Sequence, residues 1–408
     1  MNRTVVTQNL SDAQLLLPLL DEIAKAGGIA RPGEVYDRLA ARLAIPDDVR
    51  NLTVVMGDGR EVNAYERRVR WARQTAVARG LLASPERGVW ELTDRGGHAL
   101  QNAAPGVIVT VFETDRGFFV WGSVEDVVGI IDRASVQLIC TSPPYPTRKP
   151  RPYGTKPSGE WLDWMLRLFE SWRELLTPTG SIFVNLGQTW TPGEPTVDTY
   201  LERLVIALED QLGLHLCQRL YWNAEAKLPG PMPWVGVQRI RLKNTVEPIY
   251  WLSATPRPKA HVERILRPYT ASGRRALTQR RGDERRPSGA TFSKASFAID
   301  HGGAIPSTVI AVNNSASNDA YHRACRAAGI PAHPATMPRA IAELAVDVTT
   351  DEDDVVADLF AGSGIVPRVA EDKNRNWIAG DRSHRYIEGA RLRFPEARTL
   401  TTFAGRAR

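Results

Sequence analysis

Val355-Val356-Ala357-Asp358 runs without a break into Leu359-Phe360-Ala361-Gly362-Ser363-Gly364, and a helical pattern opens near Ile365. An apolar strand, a glycine turn and a helix in that order confine this stretch to an α/β layer, because glycine lets the backbone turn tightly and approach a ligand closely. Trp377-Ile378-Ala379-Gly380-Asp381 then reads as a second strand ending in an acid. Asp381 follows Phe360 by about the 20 residues expected of a ribose-binding carboxylate. The glycines do not spell G-x-G-x-x-G, which counts against a pyrophosphate dinucleotide and favours a nucleoside ligand without phosphates.

The alternation extends upstream. Gly117 to Trp121, Val136 to Cys140, Ser181 to Asn185, Leu216 to Trp222 and Val246 to Leu252 read as strands, with amphipathic helices over Trp161 to Leu176 and Tyr200 to Leu212. Such a pattern implies an α/β fold with a mainly parallel sheet flanked by helices. Thr141-Ser142-Pro143-Pro144-Tyr145 follows directly on the strand ending at Cys140. Two prolines lock the backbone where α/β sheets place their ligands. One reading is a rigid bracket: a hydroxyl on Ser142, carbonyls that Pro143 and Pro144 leave free, and an aromatic face on Tyr145. A plain strand-to-loop turn is the other, since Ser-Pro and Pro-Pro are common turn signals.

The first hundred residues form a separate pattern. Ser11 is a candidate cap for a helix through Leu15, Leu16, Leu19, Leu20 and Ile23, which ends at Gly27-Gly28. Pro32 opens a second helix through Val35, Leu39 and Leu43. Asn63 to Arg79 forms a third, with Tyr65, Val69, Ala72 and Ala76 on one stripe and Arg67, Arg70 and Arg73 on the other face beside Arg68. Leu81 to Ser84 and Val89 to Thr93 flank Pro85-Glu86-Arg87-Gly88 as a hairpin. Helices followed by a basic helix and a β-wing make a small winged-helix domain. Its arginines either contact duplex DNA or form a solvated face of a unit that packs on a partner or a second copy. Ala103-Ala104-Pro105-Gly106 reads as the join, dividing the chain into residues 1–104, a linker at 105–116, and 117–408.

Periodicity disappears between Arg257 and Lys294, where Arg274, Arg275, Arg280, Arg281, Arg285 and Arg286 stand among eleven cations opposed by Glu263, Asp283 and Glu284. Residues 257–300 are therefore either a solvated basic loop or an insert that contacts phosphates and bases. The whole chain carries net charge +6, with 43% hydrophobic and 24% charged residues, an ordinary globular composition that excludes a collagenous or mostly disordered protein. With no apolar run of about 18 residues a membrane span is excluded, and Met1-Asn2-Arg3-Thr4 lacks the apolar core of a signal peptide. Cys140, Cys217 and Cys325 are widely spaced and form no CxxC pair, so no disulfide framework or metal site is expected and a reducing cytoplasm is the simple setting.

From about Gly117 to Phe394 the chain resembles the amino-methyltransferases of DNA, in the permuted order where the catalytic motif precedes the cofactor motif. Ser142-Pro143-Pro144-Tyr145 is similar to the form typical of enzymes acting on cytosine N4; adenine-N6 enzymes more often carry Asp or Asn first. Further matches are Arg151-Pro152-Tyr153-Gly154, Leu176-Thr177-Pro178-Thr179-Gly180, Tyr221-Trp222, His333-Pro334-Ala335-Thr336-Met337-Pro338, Arg375 to Asp381, and Tyr386. The stretch from Asn63 through Gly88 to Gly97 resembles the N-terminal domain of the Mrr restriction proteins.

The resemblance implies the S-adenosylmethionine-dependent methyltransferase fold and methyl transfer to cytosine N4 in double-stranded DNA, in a restriction-modification or phage-defence setting with a cognate restriction endonuclease as a partner. Alternatives are an adenine-N6 enzyme and a non-catalytic regulator that senses cofactor and binds DNA. By the same resemblance Ser142 and the Pro143 carbonyl accept the two amino hydrogens of the target base and Tyr145 stacks on it. Asp358, Phe360, Gly362 and Gly364 shape the cofactor turn, and Asp381 binds the ribose hydroxyls. His333 to Pro338, with His333 and Pro334 as cofactor contacts, frame the methionine end, although His333 equally reads as a structural histidine. Relatives commonly place target-recognition elements in the insert before His333, where the basic segment lies. Trp222 and Trp377 read as core aromatics. A cytosine-C5 route needs a cysteine nucleophile, usually after a proline, and none of the three cysteines follows one. Departures from the family pattern are Gly122-Ser123 for a Gly-Asp pair, Leu359 for Pro and Ile365 for Thr.

Overall fold

A computed structural model of the protein describes residues 12–43, 45–57, 59–101, 103, 106, 108–146, 157–278, 284–285, 291–292, 299–313 and 319–403. The front unit runs α1 (Asp12–Lys25), β1 (Ile29–Ala30), α2 (Pro32–Arg42), α3 (Asp47–Arg50), β2 (Thr53–Val55), β3 (Glu61–Asn63), α4 (Ala64–Ala78), β4 (Leu82–Ala83), β5 (Trp90–Leu92) and α5 (Asp94–Gln101). Pro32 sits at the first turn of α2, where its missing N–H costs nothing. Asn63 caps α4 by accepting the Glu66 amide at 2.9 Å. Val69, Ala72 and Ala76 are buried where α4 packs on α1, and β1, β5 and β4 pair as an antiparallel sheet. Ser11 lies outside the described residues.

The second unit runs β6 (Val109–Glu113), β7 (Gly117–Trp121), α6 (Val124–Val128), β8 (Val136–Thr141), α7 (Ser158–Leu175), β9 (Leu176–Asn185), α8 (Tyr200–Leu212), β10 (His215–Asn223), β11 (Val246–Ser253), α9 (Ala271–Thr278), β12 (Glu284–Arg285), β13 (Thr291–Phe292), β14 (Val309–Ala311), α10 (Ala320–Ala327), α11 (Arg339–Thr349), β15 (Val355–Asp358), α12 (Ile365–Asp372), β16 (Asn376–Asp381), α13 (His384–Arg391) and β17 (Arg398–Phe403). One sheet takes the order β14-β10-β11-β9-β8-β15-β16-β7-β6-β17. Its middle, β9-β8-β15-β16-β7, is parallel throughout. Antiparallel pairs flank it, β11 on β9 and β6 on β7, so the sheet is mixed with a parallel centre. β6 lies inside the segment expected as a linker and instead contributes a strand beside β7.

Every residue of β8 is buried, which is why its sequence reads as an apolar run and not as an alternation. Trp161, Phe169 and Trp172 of α7 and Leu204 and Leu208 of α8 share one core with Ile139, Ile182 and Val184. Ile341, Val366, Val369 and Ile387 share the other with Leu138, Cys140 and Val356. The second core is continuous with that of the front unit, and the Ala103 amide donates to the Arg382 carbonyl at 2.7 Å. Trp222 and Trp377 are buried. No helix among the described residues is long and apolar enough to cross a membrane.

Candidate cofactor and target-base site

The C-terminal ends of β8, β15 and β16 open into a cavity of about 430 Å³, within the usual range of small-molecule sites. Its walls include Ser142, Pro143, Pro144 and Tyr145 from the segment after β8, Asp358 to Ser363 from the turn after β15, and Asp381 from the end of β16. Two motifs more than 200 residues apart in sequence thereby face one space. Parallel pairing of β8 with β15 brings them together.

Asp358 is buried, and its Oδ1 accepts from Thr141 Oγ1 at 2.7 Å and from the Phe360 amide at 3.3 Å. Burial outweighs these bonds and pushes its pKa up to about 7. Each oxygen of Asp381 is anchored by one backbone amide, Gly362 on Oδ2 at 2.9 Å and Ser383 on Oδ1 at 2.7 Å. Burial raises the Asp381 pKa to about 6 against the pull of those amides. Each oxygen keeps a second lone pair, and Asp381 lines the cavity.

Gly362 and Gly364 adopt φ of +45° and +71°, the left-handed region that disfavours side chains. A Cβ on Gly364 would stand 2.9 Å from the Ala390 Cβ, and one on Gly362 would stand 3.0 Å from His333 Nε2. The His333 ring meets Tyr386 edge-on at 4.3 Å. Burial lowers its pKa to about 4, so the imidazole is neutral at pH 7. Nδ1 lies 2.7 Å from the Ala335 carbonyl and 3.2 Å from the Ala335 amide, which holds the ring in place. His333 thus lines the cavity and also braces the glycine turn, whereas Pro334 is exposed and does not reach the cavity wall.

In the bracket, Ser142 Oγ donates to the Asn185 carbonyl at 3.1 Å, which spends its one proton and leaves its lone pairs as acceptors. The Pro144 carbonyl is not free, contrary to the sequence expectation: Trp161 Nε1 donates to it at 2.6 Å. Tyr145 lies against the bare Cα of Gly187, where a Cβ would come within 2.4 Å of its ring. Asn185, Gly187 and Trp161 were not singled out from sequence. Asn185 does end the strand beside β8 at the same edge of the sheet, a position that marks it. Trp164 carries no such mark in the sequence; it lines the cavity, meets Phe360 edge-on at 5.8 Å and donates to Glu125 at 2.9 Å.

The basic residues fall elsewhere. Arg67 and Arg70 are exposed on α4, while Arg73 is partly buried and donates to Ser84 Oγ. Arg274 and Arg275 are exposed on α9. Arg280, Arg281 and Arg286 lie outside the described residues, as do Arg151 to Gly154; for Arg285 only the backbone of β12 is described. Among the described residues no group of three or more His, Cys, Asp and Glu side chains could hold a metal ion.

Residues 136–392 match the family model of DNA methylases, and residues 13–102 match that of the Mrr N-terminal domain. The type II methyltransferase M.PvuII of Proteus hauseri is 32% identical over 286 residues, covering 69% of this chain and 85% of that protein. M.BglII of Bacillus subtilis is 25% identical over 254 residues, 62% of either chain. Among solved structures, the PvuII DNA methyltransferase (cytosine-N4-specific) superposes with a TM-score of 0.57 at 28% identity, over 70% of this chain and 89% of that one. A strand-end cavity that joins a Ser-Pro-Pro-Tyr bracket to a glycine turn agrees with these matches, and the chain belongs to the DNA methylase family, with an Mrr N-terminal domain ahead of its catalytic sheet.

Proposed function

We propose that the protein methylates the exocyclic N4 amine of cytosine in double-stranded DNA, using S-adenosylmethionine. The observation that carries this reading is the shared cavity, in which the residues of the bracket line the same space as the glycine turn and Asp381. The residues fit the cofactor: the free lone pairs of Asp381 suit a pair of vicinal ribose hydroxyls, and the turn from Phe360 to Gly364 approaches without side chains at its two glycines. Bound there, S-adenosylmethionine would supply a sulfonium methyl group. Asp358 shapes the turn through the Phe360 amide, and His333 braces Gly362.

The cytosine amine is a poor nucleophile because its lone pair is delocalised into the ring. Ser142 and the Pro143 carbonyl each accept one amino hydrogen, which turns the lone pair out of the ring plane and offsets the positive charge that develops on nitrogen. Tyr145 stacks on the base after it leaves the duplex. Pro144 serves as a rigid spacer tied to Trp161. The relative described as cytosine-N4-specific supports the choice of base.

In this reading residues 1–104 hold DNA through Arg67 and Arg70, and residues 257–300 contribute Arg274, Arg275, Arg280, Arg281, Arg285 and Arg286 to target recognition. The type II relatives favour a restriction-modification setting, with a cognate endonuclease as partner in the cytoplasm. Long-read sequencing of DNA from cells expressing the protein, beside a Ser142→Ala control, tests the proposal. N4-methylcytosine in one short motif, absent from the control, is the expected result. Methylated adenine would overturn the base assignment, and unmodified DNA would overturn the activity.

A further inference from the structure

A loop that the catalytic reading leaves unused stands at the same edge of the sheet. Between β10 and β11, Leu228, Met232, Val237, Ile240 and Leu242 are 82%, 56%, 73%, 48% and 91% exposed. Large apolar side chains exposed together in one loop suit an interaction site. They are interleaved with exposed Lys227, Arg239, Arg241 and Lys243, and no acidic residue occurs from 226 to 246. Lys227 pairs with Glu247 at 2.8 Å, whereas Arg239, Arg241 and Lys243 have no carboxylate within ion-pair distance among the described residues.

The loop is fastened to the segment that follows β9. Asn244 Nδ2 donates to Gln188 Oε1 at 2.8 Å, next to the Gly187 on which Tyr145 lies, and Arg241 Nε donates to the Pro195 carbonyl at 2.8 Å. β11 leaves the loop in register with β9, Ile249 opposite the Asn185 whose carbonyl holds Ser142. A target base that stacks on Tyr145 must first leave its duplex. Extruding it exposes apolar base faces, which proteins commonly cover with apolar wedges.

We propose that residues 226–243 are a duplex-DNA contact that accompanies extrusion of the target base. Leu228 and Leu242 cover the opened stack, and Arg239 and Lys243 meet the flanking phosphates. The inference rests on reading Ser142 to Tyr145 as the target-base bracket. A partner protein or a second copy would also cover apolar residues, but the interleaved cations without acids complement phosphate.

The test uses the full chain, an unmethylated duplex carrying the motif that the protein modifies, and the same duplex with the target base mismatched. L228S/L242S should slow single-turnover transfer about tenfold on the paired duplex and less than about twofold on the mismatched one, where unpairing is already cheap. Its salt dependence should match the parent. R239N/K243Q should weaken binding to both duplexes alike and lower the slope of log K against log salt by about two. All four positions are exposed, and equal melting temperatures would confirm that the variants fold. Equal slowing on both duplexes, or none, overturns the wedge. Conversion of a dimer to a monomer with transfer unchanged would assign the face to a second copy and also overturn the proposal. Should the parent itself transfer no methyl group, the functional reading falls, while the salt slopes still decide whether this loop meets DNA.

Discussion

Cofactor affinity should depend on pH through Asp381. This carboxyl accepts ribose hydroxyls well only when ionised, and burial raises its pKa to about 6. The sign follows: as pH falls through 6 a proton occupies an acceptor, and affinity is lost. With a pKa of about 6, the ionised fraction is nearly complete at pH 8 and about one-tenth at pH 5, so Kd should rise about tenfold, or about 1.4 kcal/mol. Asp358, raised to about 7 in the same cavity, loses its charge first on the way down. Its oxygen already serves Thr141 and the Phe360 amide, so this earlier step should weaken binding less. Calorimetric titration with S-adenosylmethionine in two buffers of different ionisation enthalpy would measure both Kd and protons. Binding near pH 5 should release close to one proton, and binding at pH 8 about none. A Kd constant within about twofold across that range would refute the reasoning, since it would mean that the ionised carboxylate is not what the ligand meets.

Replacing Thr141 by Val removes the hydroxyl that donates to Asp358 at 2.7 Å, and should cost about 1–3 kcal/mol of stability in denaturant unfolding; an unchanged midpoint would deny that bond a role. Gly364→Ala combines a left-handed φ of +71° with a 2.9 Å approach to Ala390. It should lose about 2–5 kcal/mol, and a loss below about 1 kcal/mol would show that the turn relaxes. Changing Arg67 and Arg70 together to Gln should lower the salt slope of DNA binding by about two, and an identical slope would remove α4 from the interface.

Much of the site is legible in the sequence because its constraints are local. Gly362 and Gly364 stand where the backbone takes positive φ, and Asp381 ends a strand of apolar residues. What escapes a local reading depends on neighbours distant along the chain. The three-residue strands β2, β3 and β14 are too short for a period to show, and β14 exists because β10 offers an edge. β6 is hidden behind the Ala-Pro-Gly turn signal and is defined by pairing with β7 and β17. Pro144 has a carbonyl that sequence leaves free, until the helix after it brings the Trp161 indole across. The antiparallel flanks of the sheet follow from the path of the return loops, which residue pattern does not specify.

The strand order also bears on how the chain reaches this state during synthesis. β7 and β8 are consecutive along the chain, yet two strands from its last quarter, β15 and β16, lie between them. After β11 has been made, the growing chain holds two half-sheets whose inner edges, one of them the fully buried β8, have no partner yet. Roughly 100 further residues precede β15, about 5–20 s at ordinary elongation rates. For that interval the nascent chain carries open apolar edges, the form most prone to aggregate. A chain stopped before residue 355 should therefore be insoluble rather than merely inactive, and yield of the intact protein should depend on chaperones that shield strand edges while translation continues.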